Sequence, residues 1–187
     1  MTTTDPATVT AGSGDSERHL TLEQIESGFA ALAAAPKSEG RVAMLVACPG
    51  EGQRVELDSA SLKVDGGMPG DRWGEQSDVQ LTAMQLTTSQ VIANGQPLSL
   101  FGDNLVLDLD LSAANMSAGT RVRIGEALLE VTPVPHNGCG KYSERFGDAA
   151  LRLISRPEAR DLHLRGIYFK VVEDGDVSVG DAVEVLR

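Results

Sequence analysis

The chain has 187 residues, a net charge of -11 from 16 Lys and Arg against 27 Asp and Glu, two cysteines and 41% apolar residues. A chain of this size buries enough surface to form one domain with its own core, without disulfides or a structural metal. The acidic balance excludes nonspecific nucleic-acid binding as the main task, because that affinity comes from neutralised phosphates. Cys48 and Cys139 are too far apart for a short metal-binding motif and too few for a disulfide scaffold, so both read as reduced thiols in a cytoplasmic protein. No apolar run approaches 18 residues and the first twenty lack the basic-then-apolar order of an export signal, so neither membrane insertion nor secretion is expected.

Residues 1–18 are rich in Thr, Ser, Gly and Asp and carry Val9 as their only large aliphatic side chain, which predicts a disordered lead-in. Residues 19–40 place Leu22, Ile25, Phe29 and Leu32 at helical spacing, with Thr21 available as a cap, and predict an amphipathic helix and linker that docks on the main domain or on a partner. Residues 41–187 form the main domain. RVAMLVAC, QRVELDSASLKV, DNLVLDLDL, TRVRIGEALLEVTPV, GIYFKVVED and DAVEVLR are short β-type segments punctuated by Gly, Pro, Asn and Asp. This pattern predicts a mainly β fold with a few short helices, closed as a mixed β-barrel so that no long edge is left open. Helical interruptions are expected at QLTAMQLTTSQVIANG and at FGDAALRLISRPEARDLHL, the second bent near Pro157.

Three segments differ from these strands in composition. In VTPVPHNGCGKYSERFG two prolines and two glycines specify a tight loop, and Cys139 lies between glycines with His136 three residues before it and Lys141 two after. Cationic neighbours favour a thiolate, which attacks sulfur or binds a soft metal. Residues 141–165 carry six bases against four acids, so a local anion site is expected inside an acidic chain, although Arg152, Arg156 and Arg160 can equally be solvated helix residues. KVDGGMPGDRWG permits a close turn whose amides and Arg72 can hold an anion, or a purely structural turn organised by Asp71. It has neither the dinucleotide fingerprint nor the ending of a P-loop. In LFGDNLVLD, Asp103 and Asn104 stand before a strand, where turn capping and ligand contact are equally open. Cys48 follows an apolar run and reads as a structural residue.

GMPGDRW, FGDNLVLDLDLSAANMSAGTRVRIGEALLEVTPVPHNGCGKYSERFG and RGIYFKVVEDGDVSVGDAVEVL together resemble the molybdenum cofactor sulfurase C-terminal (MOSC) domain family, as a small stand-alone member, over roughly residues 41–187. The resemblance implies a β-rich barrel and one functional cysteine, Cys139, acting as a sulfur carrier or as a metal ligand. It further implies Asp71, Arg72 and Asn104 around the cleft with Arg165 entering the late strand, while His136 and Lys141 are read as catalytic helpers from their places beside the thiol. Gly138 stands where the family often has proline. The family's link to pyridoxal phosphate binding comes with the resemblance, although no fused pyridoxal-phosphate, ferredoxin or separate cofactor-binding module is expected.

Three functions follow. The first is binding of molybdenum cofactor (molybdopterin) through Cys139 in a basic cleft, with reduction of small N-oxygenated substrates as the activity the resemblance permits and His136 as a proton relay. The second is persulfide carriage by Cys139, with sulfur supplied by a desulfurase-like partner. The third is a noncatalytic interaction module using the N-terminal helix. The partners implied are a small anionic cofactor or substrate and a desulfurase or redox protein, and no nucleic acid or membrane.

Overall fold

The computed structural model describes residues 8–10, 12, 14–72 and 79–187. In chain order its elements are β1 (Thr8–Thr10), α1 (Leu22–Ala30), β2 (Glu39–Ala47), β3 (Gln53–Leu57), β4 (Ser59–Leu62), β5 (Leu81–Gln85), α2 (Leu86–Ala93), β6 (Leu105–Asp108), β7 (Arg121–Ile124), β8 (Ala127–Val131), α3 (Gly140–Phe146), α4 (Asp148–Ile154), β9 (Ile167–Glu173), β10 (Gly175–Ser178) and β11 (Ala182–Leu186). Short 3-10 turns occupy Ser16–Arg18, Leu98–Phe101 and Pro157–Leu162.

The strand β2 closes the fold. One of its edges pairs with β6, and the other pairs with β11 near its start and with β3 near its end. From β6 the ladder runs through β5, β9, β8, β7 and β11 back to β2, a closed mixed ring of seven strands in which β5 and β6 are parallel. Gly40 is required at the closure, because a Cβ there would overlap the carbonyl oxygen of Asp108 on the strand opposite. Beyond the ring, β1 extends the sheet through β3, and β4 and β10 form a separate two-stranded ribbon.

Inside the barrel, Leu45, Leu81, Leu105, Leu107, Leu129 and Phe169 are fully buried. A second cluster, including Ile25, Met84, Ile92, Val106, Phe146 and Leu153, fills the space between the outer face of β5 and β6 and the helices. These two strands are thus buried on both faces, which explains why LVL in β6 shows no polar alternation. The helix α1 seals one side of the second cluster. Its N-terminus is held by a capping box in which the Thr21 hydroxyl accepts from the Gln24 amide and the Gln24 side chain accepts from the Thr21 amide at 2.8 Å.

The structure departs from the sequence-based expectations in three places. Residues 81–85, expected to be helical, are strand β5, because Leu81 and Ala83 alternate into the barrel while the helix begins only at Leu86. Residues 140–146, read as loop, form α3. Of the expected disordered lead-in, residues 1–7, 11 and 13 lie outside the described residues. The described part is ordered by tertiary contacts, with β1 pairing β3 and the Asp15 amide donating to the Gln96 side chain at 2.7 Å.

Gly166 precedes β9 with φ of 101°, and a Cβ there would overlap the Ala83 carbonyl oxygen on β5. Left-handed strain and the clash act together, so Gly166→Ala is expected to cost about 2–3 kcal/mol in urea unfolding. Gly140→Ala, at a site with no neighbour within 4 Å, should cause no loss.

Candidate functional site

The loop after β8 carries Cys139 to one end of the barrel. Cys139 is exposed and occupies the N-cap position of α3 in extended backbone, and its carbonyl accepts from the Tyr142 amide at 2.9 Å. A side chain at 138 would meet Leu151 and Ile154 on α4, so glycine lets the loop pass close to that helix. The helix α3 is pinned by stacked aromatics. The rings of Phe101 and Phe146 lie 3.8 Å apart, and Tyr142 packs at 5.1 Å from Phe146.

Cys139 opens on a cleft of about 190 Å³ also lined by Arg54, Arg72, Lys141, Arg145 and Arg165, with no Asp or Glu among the lining residues described. This is a concentrated positive site on a chain of net charge -11. Each cation is positioned differently. Arg54 on β3 is buried, donates to the Gln53 carbonyl at 2.6 Å and packs against Gly102, where a Cβ would overlap the guanidinium. Arg145 donates to the Leu100 carbonyl at 3.1 Å, and burial and the neighbouring Arg54 lower its affinity for its proton. Lys141 is exposed and pairs with Glu51.

Beneath the cleft, Arg165 donates to the fully buried Asp103 carboxylate at 2.6 Å. Burial disfavours charge on both partners. At Arg165 this is outweighed by Asp103 and Tyr142, which hold the guanidinium charged. His136 stands 3.7 Å from the other Asp103 oxygen and its ring lies 4.5 Å from that of Tyr168. Burial, reinforced by Arg165, holds His136 well below the usual imidazole pKa, so it is neutral near pH 7. A neutral imidazole can exchange a proton but brings no positive charge to the cleft, which comes from Arg54, Arg72, Lys141, Arg145 and Arg165.

The residues expected at the site thus divide. Cys139, His136, Lys141, Arg72 and Arg165 line one cleft. Asp71 and Asn104 do not line it and serve as struts. The Asn104 amide donates to Asp71 at 2.8 Å and to the Val46 carbonyl at 3.1 Å, its oxygen accepts from the Thr82 amide, and Asp71 accepts from the Cys48 amide at 2.7 Å. These bonds lock the chain after β2 to the turn before Arg72. Cys48 is structural in its chemistry although it touches the cleft. Burial pushes its thiol up to about 11, and the thiol donates to the Gly102 carbonyl. Arg152 and Arg156 lie off the cleft, Arg156 pairing with Glu26 at 2.7 Å.

Arg54 and Tyr142 were not singled out from the sequence, and Arg145 was counted there only as one of the six bases of residues 141–165. Tyr142 and Phe146 have the four-residue spacing of a helix face, which is the signal that reveals α3. Arg54 has no such signal, since a strand arginine reads as solvent-facing until the barrel closes. The Nε of Arg54 and the hydroxyl of Tyr142, on two residues that line the cleft, are buried without a hydrogen-bond partner among the described residues.

The model of the MOSC domain matches residues 76–184, more than half of the sequence. The chain belongs to the MOSC domain family. Solved structures of the same fold include the YuaD protein of Bacillus subtilis, 19% identical with a TM-score of 0.59 over 79% of this chain and 95% of that one. YiiM of Escherichia coli is 22% identical with a TM-score of 0.55 over 79% and 70% of the two chains. YiiM of Geobacillus stearothermophilus is 16% identical with a TM-score of 0.58 over 80% and 75%. No curated protein sequence matches. In this MOSC domain no helix among the described residues is long and apolar enough to cross a membrane.

The buried His136 gives a pH signature. In the unfolded chain an imidazole protonates near pH 6.5, whereas the folded one resists until lower pH, so the unfolded state binds the extra proton in that window. Stability is expected to fall as pH drops below about 6.5, this residue contributing at most about 1.4 kcal/mol per pH unit. Urea unfolding of His136→Gln between pH 7.5 and 5 should show a flatter profile than wild type.

Proposed function

We propose that this MOSC domain binds a molybdenum-bearing, phosphorylated cofactor, with the Cys139 thiolate as the protein's ligand to the metal. The observation that carries the reading is the accessible thiol in a cleft lined by five cations and no acid among the described residues. The donor set fits. Among the described residues no three His, Cys, Asp or Glu converge as a metal cage, so the protein offers one soft ligand to a metal that brings its own. Arg54, Arg145 and Arg72 would hold the anionic group, with Arg54 Nε and the Tyr142 hydroxyl as unfilled donors. The cleft of about 190 Å³ would take that anionic group beside the Cys139 thiol.

When bound, such a cofactor supplies two-electron chemistry suited to reducing small N-oxygenated substrates. The chain's own residues provide the rest. Arg165 and Asp103 fix the floor as a buried ion pair, and neutral His136 can pass a proton toward the thiol end of the cleft. A second reading rests on the exposure of Cys139. Its thiolate would attack the outer sulfur of a persulfide on a desulfurase-like partner, release the partner's thiolate and carry the sulfur as Cys139 persulfide to an acceptor.

Metal analysis and intact mass of protein purified anaerobically from a cofactor-producing host separate the two. Near-stoichiometric molybdenum, lost in Cys139→Ala, is the expected result. Metal-free protein one sulfur atom heavier, with the increment lost in the same variant, would support the second reading and overturn the first. The anion site has its own test: Arg145→Ala is expected to weaken inorganic phosphate binding roughly tenfold by calorimetry at low salt, and Arg152→Ala, off the cleft, to leave it unchanged.

A further inference from the structure

Behind the thiol loop lies a second cavity of about 490 Å³, larger than the cleft that holds Cys139. Its volume falls within the range of roughly 300–1,000 Å³ typical of sites for small organic molecules. One wall is the segment 131–137, which leads into Cys139, and the opposite wall comes from the end of α4, the 3-10 turn Pro157–Leu162 and the start of β9. The surface inside is mainly apolar, with Pro133, Pro135, Ile154 and Leu164 facing the same space. Leu162 and Val134, exposed at 52% and 36%, lie on the two elements that form these walls.

Polar side chains also line the cavity, among them Thr132, His136, Arg160, Asp161, His163 and Arg165. Thr132 is 6% exposed and its hydroxyl has no hydrogen-bond partner among the described residues, although its amide is satisfied by the Tyr168 carbonyl at 2.9 Å. A buried hydroxyl left unpaired is destabilising unless something completes it. Arg160 and Arg165 supply two cations to the lining against one acid, Asp161. Arg165 is engaged by Asp103, whereas Arg160 makes no ion pair among the described residues.

We infer that this cavity is a second binding site, distinct from the thiol cleft, for a small organic acid with an apolar body. The carboxylate is held by Arg160 and the Thr132 hydroxyl, and the body packs between the two prolines and the Ile154–Leu164 wall. The inference is independent of which chemistry Cys139 performs. The two sites meet at His136 and Arg165, which line both cavities. An occupant of the second site therefore touches the segment that sets the position of Cys139.

The probe is 1-naphthoate, titrated into the full chain and followed by calorimetry and by amide shifts in NMR. Saturable binding at one site per chain is expected, with shifts at Ala118, Thr132 and Leu164. Thr132→Val, which keeps the side chain's shape, and Arg160→Gln on the exposed rim should each weaken binding about fivefold or more. Cys139→Ala should bind as wild type does, so failure of the proposed function leaves this result standing. Absence of saturable binding, wild-type affinity in both Thr132→Val and Arg160→Gln, or shifts confined to Gly52 and Gly102 on the thiol cleft would each overturn the inference.

Discussion

The closure of β2 onto β6 is the constraint on which the site depends. Until it forms, Cys48 at the end of β2, Asp103 and Asn104 ahead of β6, Thr82 on β5 and Arg165 ahead of β9 belong to separate parts of the chain. Once the ring is complete, all of them lie at one end of the barrel. The Asn104 side chain then acts as a joint, bonding at once to β2, to β5 and to the Asp71 turn. The closure is possible because Gly40 lets two backbones approach where any side chain would collide.

A positive cleft on an acidic protein needs an arrangement that keeps its charges from being neutralised internally. Here the work is divided by depth. Asp103 is fully buried and spends its charge on Arg165, fixing the floor, while Arg54 and Arg145 are held by backbone carbonyls, which orient a guanidinium without cancelling its charge. The cost is desolvation of several charged groups in one place, and burial correspondingly lowers the proton affinity of Arg145 and His136. An anion entering the cleft relieves that cost. The same depth ordering separates the thiols: Cys48 is kept protonated by burial, and Cys139 is left exposed among the cations.

Segments with strong local signals were readable in advance. The Thr21 cap followed by Ile25 and Phe29 specifies α1, and the Pro157 break after α4 appears where proline must place it. The β5 segment was misread because its inward residues, Leu81 and Ala83, adjoin Met84 and Leu86 on the other side, and burial on both faces erases the alternation that marks a strand. The Cys139 loop was conspicuous because its prolines and glycines restrict the backbone locally. Arg54 was not, because nothing in QRVEL distinguishes a cation facing a cleft from one facing water.

The sequence alone determined the β-rich class, the family resemblance and the unequal status of the two cysteines, since each follows from residues close together in the chain: punctuated short strands, ordered motifs, a thiol between glycines. Tertiary structure alone decided which charges converge. Asp71 and Asn104, which looked like cleft residues, became struts, while Arg54, from a distant strand, joined Lys141, Arg145 and Arg165 of the basic stretch beside Cys139. The physical reason is that electrostatic convergence depends on distance in space, and Arg54 and Arg165 are brought together only when the barrel closes.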